Sequence, residues 1–415
     1  MSNRCDDNAL LRYVLKLLSN EEAAEVRRHL AECSSCVAYL TTFDNADEEP
    51  FAEEAVSTAA VDDLLARSPD RWERLFAGNR DRYATPAAVQ ALIQACEIAL
   101  DRDLARADVL SLILTESADA LPVSFASRTL QALAWTRRAT ALLRQGRLVD
   151  ARAAVKTAEE RASHIPAADY ERALIAFTAA DILRELGQTD DALRQIRDAA
   201  AVFRGYKDMR RWASAREMEA AVLFRRGDYR AAADLYLALL DAGPTDLVVR
   251  GRLIANAAQS FVRLGEHERA LPLFDRAEQI FLELKYDGYV TRILWGKARA
   301  IHALGNDETA IAALREVWRQ FDRQPGLAEW IRVGVELVEW LLPQDAFAEA
   351  RTICTVVYER AMAAGVGMQL QALEAVTYLR EAALAENLTA DRAQYVRSFL
   401  EALPTAPQAE FRLPA

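Results

Sequence analysis

The chain has 415 residues, more than one compact domain holds, and a hydrophobic share of 52% is ample for a core. A net charge of −11 argues against general nucleic-acid binding, because most of the surface repels phosphate. No run approaches the length of apolar sequence that spans a bilayer, and Arg12 and Lys16 interrupt the first apolar stretch. A cytoplasmic protein with neither membrane span nor secretory signal is therefore expected.

In chain order, Ala9, Leu10, Tyr13, Val14, Leu17 and Leu18 follow helical spacing and predict a first short helix. Ser19 and Glu22 form a capping box that starts a second helix at about residue 20, and Val26, Leu30 and Val37 continue its apolar side. At about 100° per residue, steps of four and seven return almost to the starting direction, so His29, Cys33 and Cys36 converge on one side of that helix. Cys5 offers a fourth soft ligand. Two or more thiolates with imidazole suit zinc better than magnesium or calcium.

The chain has only five cysteines and four histidines, yet three cysteines and one histidine fall within the first 36 residues. The competing reading makes the cysteines small buried hydrophobes and the histidine ordinary polar surface. Four protein ligands would close the coordination shell, so the zinc is expected to be structural. It would staple two helices too small to bury a core alone.

The pattern Cys5, Leu18-Ser19-x-Glu21-Glu22, Val26-x-x-His29-Leu30-x-x-Cys33-x-x-Cys36-x-x-x-Leu40 resembles the zinc-finger domain of zinc-binding anti-sigma factors, over residues 1 to about 42. The resemblance implies a bacterial regulator that sequesters a sigma factor of the extracytoplasmic-function type. It implies that Cys5, His29, Cys33 and Cys36 hold zinc and that the first helices touch the sigma factor. In oxidant-sensing members the thiolates oxidise, the metal leaves and the partner is released, so redox sensitivity is a further implication. The family grips its partner with another helix after the zinc helix. Here residues 44–63 carry Asp44, Asp47, Glu48, Glu49, Glu53, Glu54, Asp62 and Asp63 with no lysine or arginine, and read as a solvated linker. A helix at about 57–77, with Val61, Leu64, Leu65, Trp72, Leu75 and Phe76, either takes that role or opens the next domain.

From about residue 85 the chain becomes a repeat. Gly146, Gly187, Gly227, Gly265 and Gly305 are separated by 41, 40, 38 and 40 residues, and each is followed five residues later by Ala151, Ala192, Ala232, Ala270 or Ala310. Asp345 with Ala350 continues the series 40 residues on. An apolar helix ends at a glycine able to turn left-handed, and the next begins with an alanine small enough for close contact. Leu183 and Leu186, Phe261 and Leu264, and Ile301 and Leu304 form the buried stripe of the first helices; Ile196, Leu235, Leu273 and Leu314 answer from the second. Each pair leaves apolar surface bare, so neighbours must stack.

Fragments such as Leu264-Gly265-Glu266-x-x-x-Ala270-Leu271 and Arg226-Gly227-Asp228-Tyr229-x-x-Ala232 resemble the tetratricopeptide repeat (TPR) in a longer-helix form. The resemblance implies a concave face that binds extended peptides or partner helices and performs no catalysis. Residues three and six before each glycine flank the buried stripe and are expected in that groove: Asp181, Arg184, Gln259, Val262, Arg299 and His302. Individually they also read as ordinary solvated groups.

The expected architecture is all-α. A small zinc-stapled helical head (1–42) leads through an acidic linker and connecting helix (43–84) to a right-handed TPR-like α-solenoid of about seven helix pairs (85–402) and a flexible tail (403–415). Cys96 and Cys354 read as buried packing residues in a reducing compartment. Catalysis is not expected, since phosphate loops, nucleophile elbows and H-E-x-x-H pairs are missing from the sequence. Two functions stay open. One is a regulator whose head controls a sigma factor while the repeats receive a protein or peptide signal. The other is an adaptor or scaffold, recruiting or inhibiting an effector such as a protease, in which zinc is purely structural.

Overall fold

The structure, a computed structural model, describes residues 13, 20–30, 33, 50–165, 168–243, 246–323, 327–364, 369–403 and 409–413. The fold is all-α, and no strand occurs among the described residues. Contacts divide the chain into two units, Met1–Ala215 and Arg216–Ala415.

In the first unit, α1 is Asn20–Leu30 and α2 is Pro50–Leu65. The acidic stretch expected as linker is thus helical from Pro50, and α2 buries Ala60, Val61 and Leu64 against α5. The helix expected over 57–77 is broken. Pro69 restricts Ser68 to an extended conformation (ψ 137°), so α2 stops at Leu65 and a separate short helix, α3 (Trp72–Ala77), follows. Trp72 is fully buried and its indole N–H donates to the Arg67 carbonyl at 3.0 Å. After α4 (Arg80–Tyr83) the repeat begins with α5 (Pro86–Arg102) and α6 (Leu104–Asp119). The pairs α7 (Phe125–Arg144) with α8 (Leu148–Ser163), and α9 (Asp169–Glu185) with α10 (Thr189–Gly205), complete this unit, and α11 (Met209–Arg226) opens the next pair. The core around α7 and α8 is rich in alanine, with Ala132, Ala139, Ala151, Ala154 and Ala158 buried. Such small side chains let the helix axes approach closely.

The second unit contains α12 (Tyr229–Asp241), then α13 (Leu247–Arg263) with α14 (His267–Glu283), α15 (Asp287–Ala303) with α16 (Asp307–Asp322), α17 (Leu327–Leu341) with α18 (Phe347–Ala363), and α19 (Leu370–Leu384) with α20 (Ala390–Ala402). Its packing uses aromatics. Phe274 of α14 seats against Gly296 of α15, where an added Cβ would lie 2.6 Å from the ring, and Phe281 seats against Gly251 of α13 at 2.8 Å. Both rings are buried.

The periodic glycines turn as their spacing implies. At Gly265 (φ 76°) the N–H bonds the Val262 carbonyl at 3.1 Å and the Glu266 N–H bonds that of Phe261 at 2.9 Å, closing the helix end in a Schellman turn. Asp345 adopts the same left-handed conformation (φ 57°). Counted from residue 86, the described residues form eight helix pairs against the seven expected. The eighth escapes a glycine search because Glu386 (φ 57°) occupies its left-handed position.

The tail expected to be flexible is laid down over 409–413. Phe411 meets Phe399 at 5.1 Å, Tyr378 at 5.7 Å and Tyr395 at 5.8 Å, while the Tyr395 hydroxyl donates to the Arg412 carbonyl at 2.8 Å. Cys96 and Cys354 are buried in helices, and burial pushes both thiols up to about 12.

Candidate functional site

Two regions carry candidate chemistry. In the head, the last turn of α1 carries Arg27 and Arg28, cations that favour the negative end of a helix dipole, and beside them His29. His29 is half-buried, and Cys33, four residues on, is also half-buried but outside regular helix, so the helix expected to run through Cys36 is described only to Leu30. Cys5 and Cys36 lie outside the described residues. Among the described residues no group of three metal-ligating side chains is gathered. The imidazole of His29 and the thiol of Cys33 are two donors of the types that suit zinc.

The second region is a pocket of about 460 Å³ within the second unit. Helix α13 presents Arg252, Asn256, Gln259 and Arg263 to it, at steps of four, three and four residues that trace one helical face. Helix α15 adds Arg292, Trp295, Gly296 and Arg299, and α17 adds Glu329 and Arg332. Phe274, Tyr289 and Ile293 supply apolar wall, and Glu401 of α20 lies at one end.

Ion pairs order this lining. Arg299 donates from Nε and Nη2 to the two oxygens of Glu336 at 2.6 and 2.8 Å, and from Nη2 to Glu401 at 2.7 Å. Glu336 also accepts the Trp295 indole N–H at 2.6 Å. Arg252 donates from Nε and Nη2 to the two oxygens of Glu217, at 2.5 and 2.8 Å. Burial alone would lower the Arg299 guanidinium; Glu336 and Glu401 outweigh it and hold it above its ordinary range. Arg332 goes the other way: burial lowers it, Glu329 and Glu401 relieve that only in part, and the nearby Arg299 and Arg292 add to the lowering.

The expected groove residues divide. Gln259 and Arg299 share the pocket. Val262 packs into the core beside Phe261 and Phe274, and His302 stacks on Trp340 at 4.1 Å with Nδ1 2.8 Å from Asp307. In the first unit Asp181 and Arg184 pair with each other on α9, Nε to Oδ1 at 3.0 Å. Arg252, Asn256, Arg263, Arg292 and Arg332 were missed. A sequence signal existed: Arg252, Arg292 and Arg332 each stand thirteen residues before Gly265, Gly305 and Asp345, a column of arginine at 40-residue spacing.

Glu401 gives the second unit an acid-labile contact. Burial raises its carboxyl, but Arg299 and Arg397 outweigh that and hold it below the ordinary 4.5. A folded value below the unfolded one stabilises above the unfolded value and loses that contribution as pH falls through the folded one. Unfolding free energies from urea titration of the wild type and Glu401→Gln are therefore expected to differ at neutral pH by on the order of 1 kcal/mol, and to converge as the pH falls below 4.5 and through the folded value. A gap that persists in acid would contradict this.

Residues 8–36 match the family described as "Putative zinc-finger", a span that holds His29, Cys33 and Cys36 and leaves out Cys5. No curated protein matches the sequence. Solved structures match over most of the chain. The apo form of RapI aligns with a TM-score of 0.57 at 13% identity, covering 87% of this chain and 100% of that one. A STAND signal-transduction ATPase with a TPR sensor from Pyrococcus horikoshii aligns with a TM-score of 0.59 at 14% identity, covering 88% of this chain and 54% of that one. The apo quorum sensor NprR from B. thuringiensis gives 0.54 at 12%, covering 85% and 99%. At such identities the likeness is one of fold, and the fold is a TPR-like helical solenoid behind a zinc-finger-family head.

Proposed function

We propose that this chain is a non-enzymatic regulator in which a zinc-stapled, anti-sigma-like head controls a sigma factor of the extracytoplasmic-function type while the solenoid receives a protein or peptide. The observation that carries the reading is the zinc-finger family match over residues 8–36, joined in one chain to a TPR-like solenoid. His29, Cys33, Cys36 and Cys5 would hold the ion. When bound, zinc supplies four strong bonds that hold a helical unit too small to be stable alone. The thiolates must shed their protons to bind it, so affinity falls in acid.

The pairing of such a head with a repeat fold favours signal reception over chemistry. The named structural neighbours include a quorum sensor and a TPR sensor, and by analogy the repeats here bias what the head does. The test uses the full chain, co-expressed with extracytoplasmic-function sigma factors. The wild type is expected to purify with one equivalent of zinc and a retained sigma factor, and Cys33→Ser is expected to lose both. A zinc-free folded wild type would overturn the head assignment. Zinc present without any retained sigma factor would favour the adaptor reading.

A further inference from the structure

The pocket of the second unit carries more positive charge than its own carboxylates compensate. Five arginines line it, Arg252, Arg263, Arg292, Arg299 and Arg332, against Glu329 and Glu401. Arg252 is satisfied by Glu217, and Arg299 by Glu336 and Glu401. Arg292 and Arg332 instead share Glu329, each at 3.8 Å, too long for a hydrogen bond. Arg263 lies over the Tyr229 ring at 5.5 Å and is one of the cations that keep the Glu401 carboxyl low. Burial keeps Arg332 below its ordinary range, the mark of a cation short of a counter-ion. This concentration of cations sits in a chain whose net charge is −11.

The spacing of the charges says what would complement them. Arg252, Arg292 and Arg332 come from the successive first helices α13, α15 and α17. Packed helices stand roughly 8–10 Å apart, so the cations form a row whose step matches about three residues of a polyproline-II-like extended chain, which returns every third side chain to one face. Between them Asn256 and Gln259 offer carboxamides able to bond a peptide backbone, and Trp295, Phe274 and Ile293 offer apolar wall. A single compact anion would use one step of this row and leave the rest.

We propose that this pocket binds an extended acidic peptide segment, with its carboxylates on Arg292 and Arg332 and its apolar side chains on Trp295. The proposal rests on the reading of the solenoid as a protein or peptide receptor and gives that receptor its ligand chemistry.

The probe is a random hexapeptide pool passed over the immobilised full-length chain, with retained peptides sequenced position by position. Enrichment of Asp and Glu is expected. The best retained peptide should bind Arg292→Gln/Arg332→Gln about a hundredfold more weakly, roughly tenfold for each charge-assisted contact. Because that double variant could also loosen the helices, Glu329→Gln serves as the counter-test. Removing the competing carboxylate is expected to tighten acidic peptides several-fold, an effect a merely structural residue would not produce. Retention of uncharged or basic peptides overturns the acidic assignment and leaves the receptor reading intact. Retention of none sinks both. Acidic peptides indifferent to all three substitutions place the site elsewhere, and displacement by inorganic phosphate at equal concentration makes the ligand a phosphoanion; either result overturns the proposal.

Discussion

Glu336→Ala is expected to destabilise the protein by about 3 kcal/mol, read as a lowered urea midpoint of the second unit. Glu336 is 3% exposed and accepts from both Arg299 and Trp295. Truncating it leaves a buried guanidinium holding only Glu401 and takes the acceptor from the half-buried Trp295 indole, and the orphaned guanidinium carries its desolvation penalty. The penalty lies in the orphaning, so removing the pair together should restore most of the loss. Arg299→Met with Glu336→Leu is expected to lie within about 1 kcal/mol of wild type, since apolar replacements of buried ion pairs are often neutral or better. A double variant as unstable as Glu336→Ala would show that the charges themselves, and not their completeness, hold α15 to α17. The whole stability of a domain is about 5–15 kcal/mol, so the single change is large.

Phe274→Ala is expected to cost about 3–5 kcal/mol, the usual range for emptying a buried aromatic site. The sharper outcome concerns Gly296. Alone, Gly296→Ala gains up to about 1 kcal/mol of helix propensity but sets its methyl 2.6 Å from the Phe274 ring and 2.8 Å from the Gln259 carboxamide, an overpacking that costs about 1–3 kcal/mol. In the Phe274→Ala background the ring is gone and Gln259 can swing aside, so the same substitution should become stabilising. A change of sign across the double-mutant cycle, measured by thermal unfolding, is the prediction; equal effects in both backgrounds would mean that the ring and the glycine do not share the space.

The turns of this fold were legible because the left-handed conformation is costly for residues with a Cβ, which writes glycine into the sequence at Gly146, Gly187, Gly227, Gly265 and Gly305. Where another residue bears that cost, as at Glu386, the mark vanishes and the last pair went uncounted. The pocket was half legible for a related reason. Exposed groove positions need no particular residue, so a rule counting back from the glycine had to choose a helical face. That face includes Val262, which packs against the core, and His302, which stacks on Trp340, whereas steps of four and three from Arg252 through Asn256, Gln259 and Arg263 line the pocket. The acidic stretch before residue 63 read as linker because charge dominated its composition. Ala60, Val61 and Leu64 suffice to anchor α2, and three apolar residues among many carboxylates are a faint signal.

Two of the five cysteines, Cys96 and Cys354, are sealed in repeat helices and stay protonated at physiological pH. Alkylation of the native protein therefore bypasses them, and the thiolate is the species that alkylating reagents attack. Mass added by a maleimide under native conditions reports the three thiols of the head alone, and the repeats contribute a silent background until the chain is denatured. One labelling experiment, run before and after a chelator, thus becomes a specific gauge of the head's state inside the intact molecule.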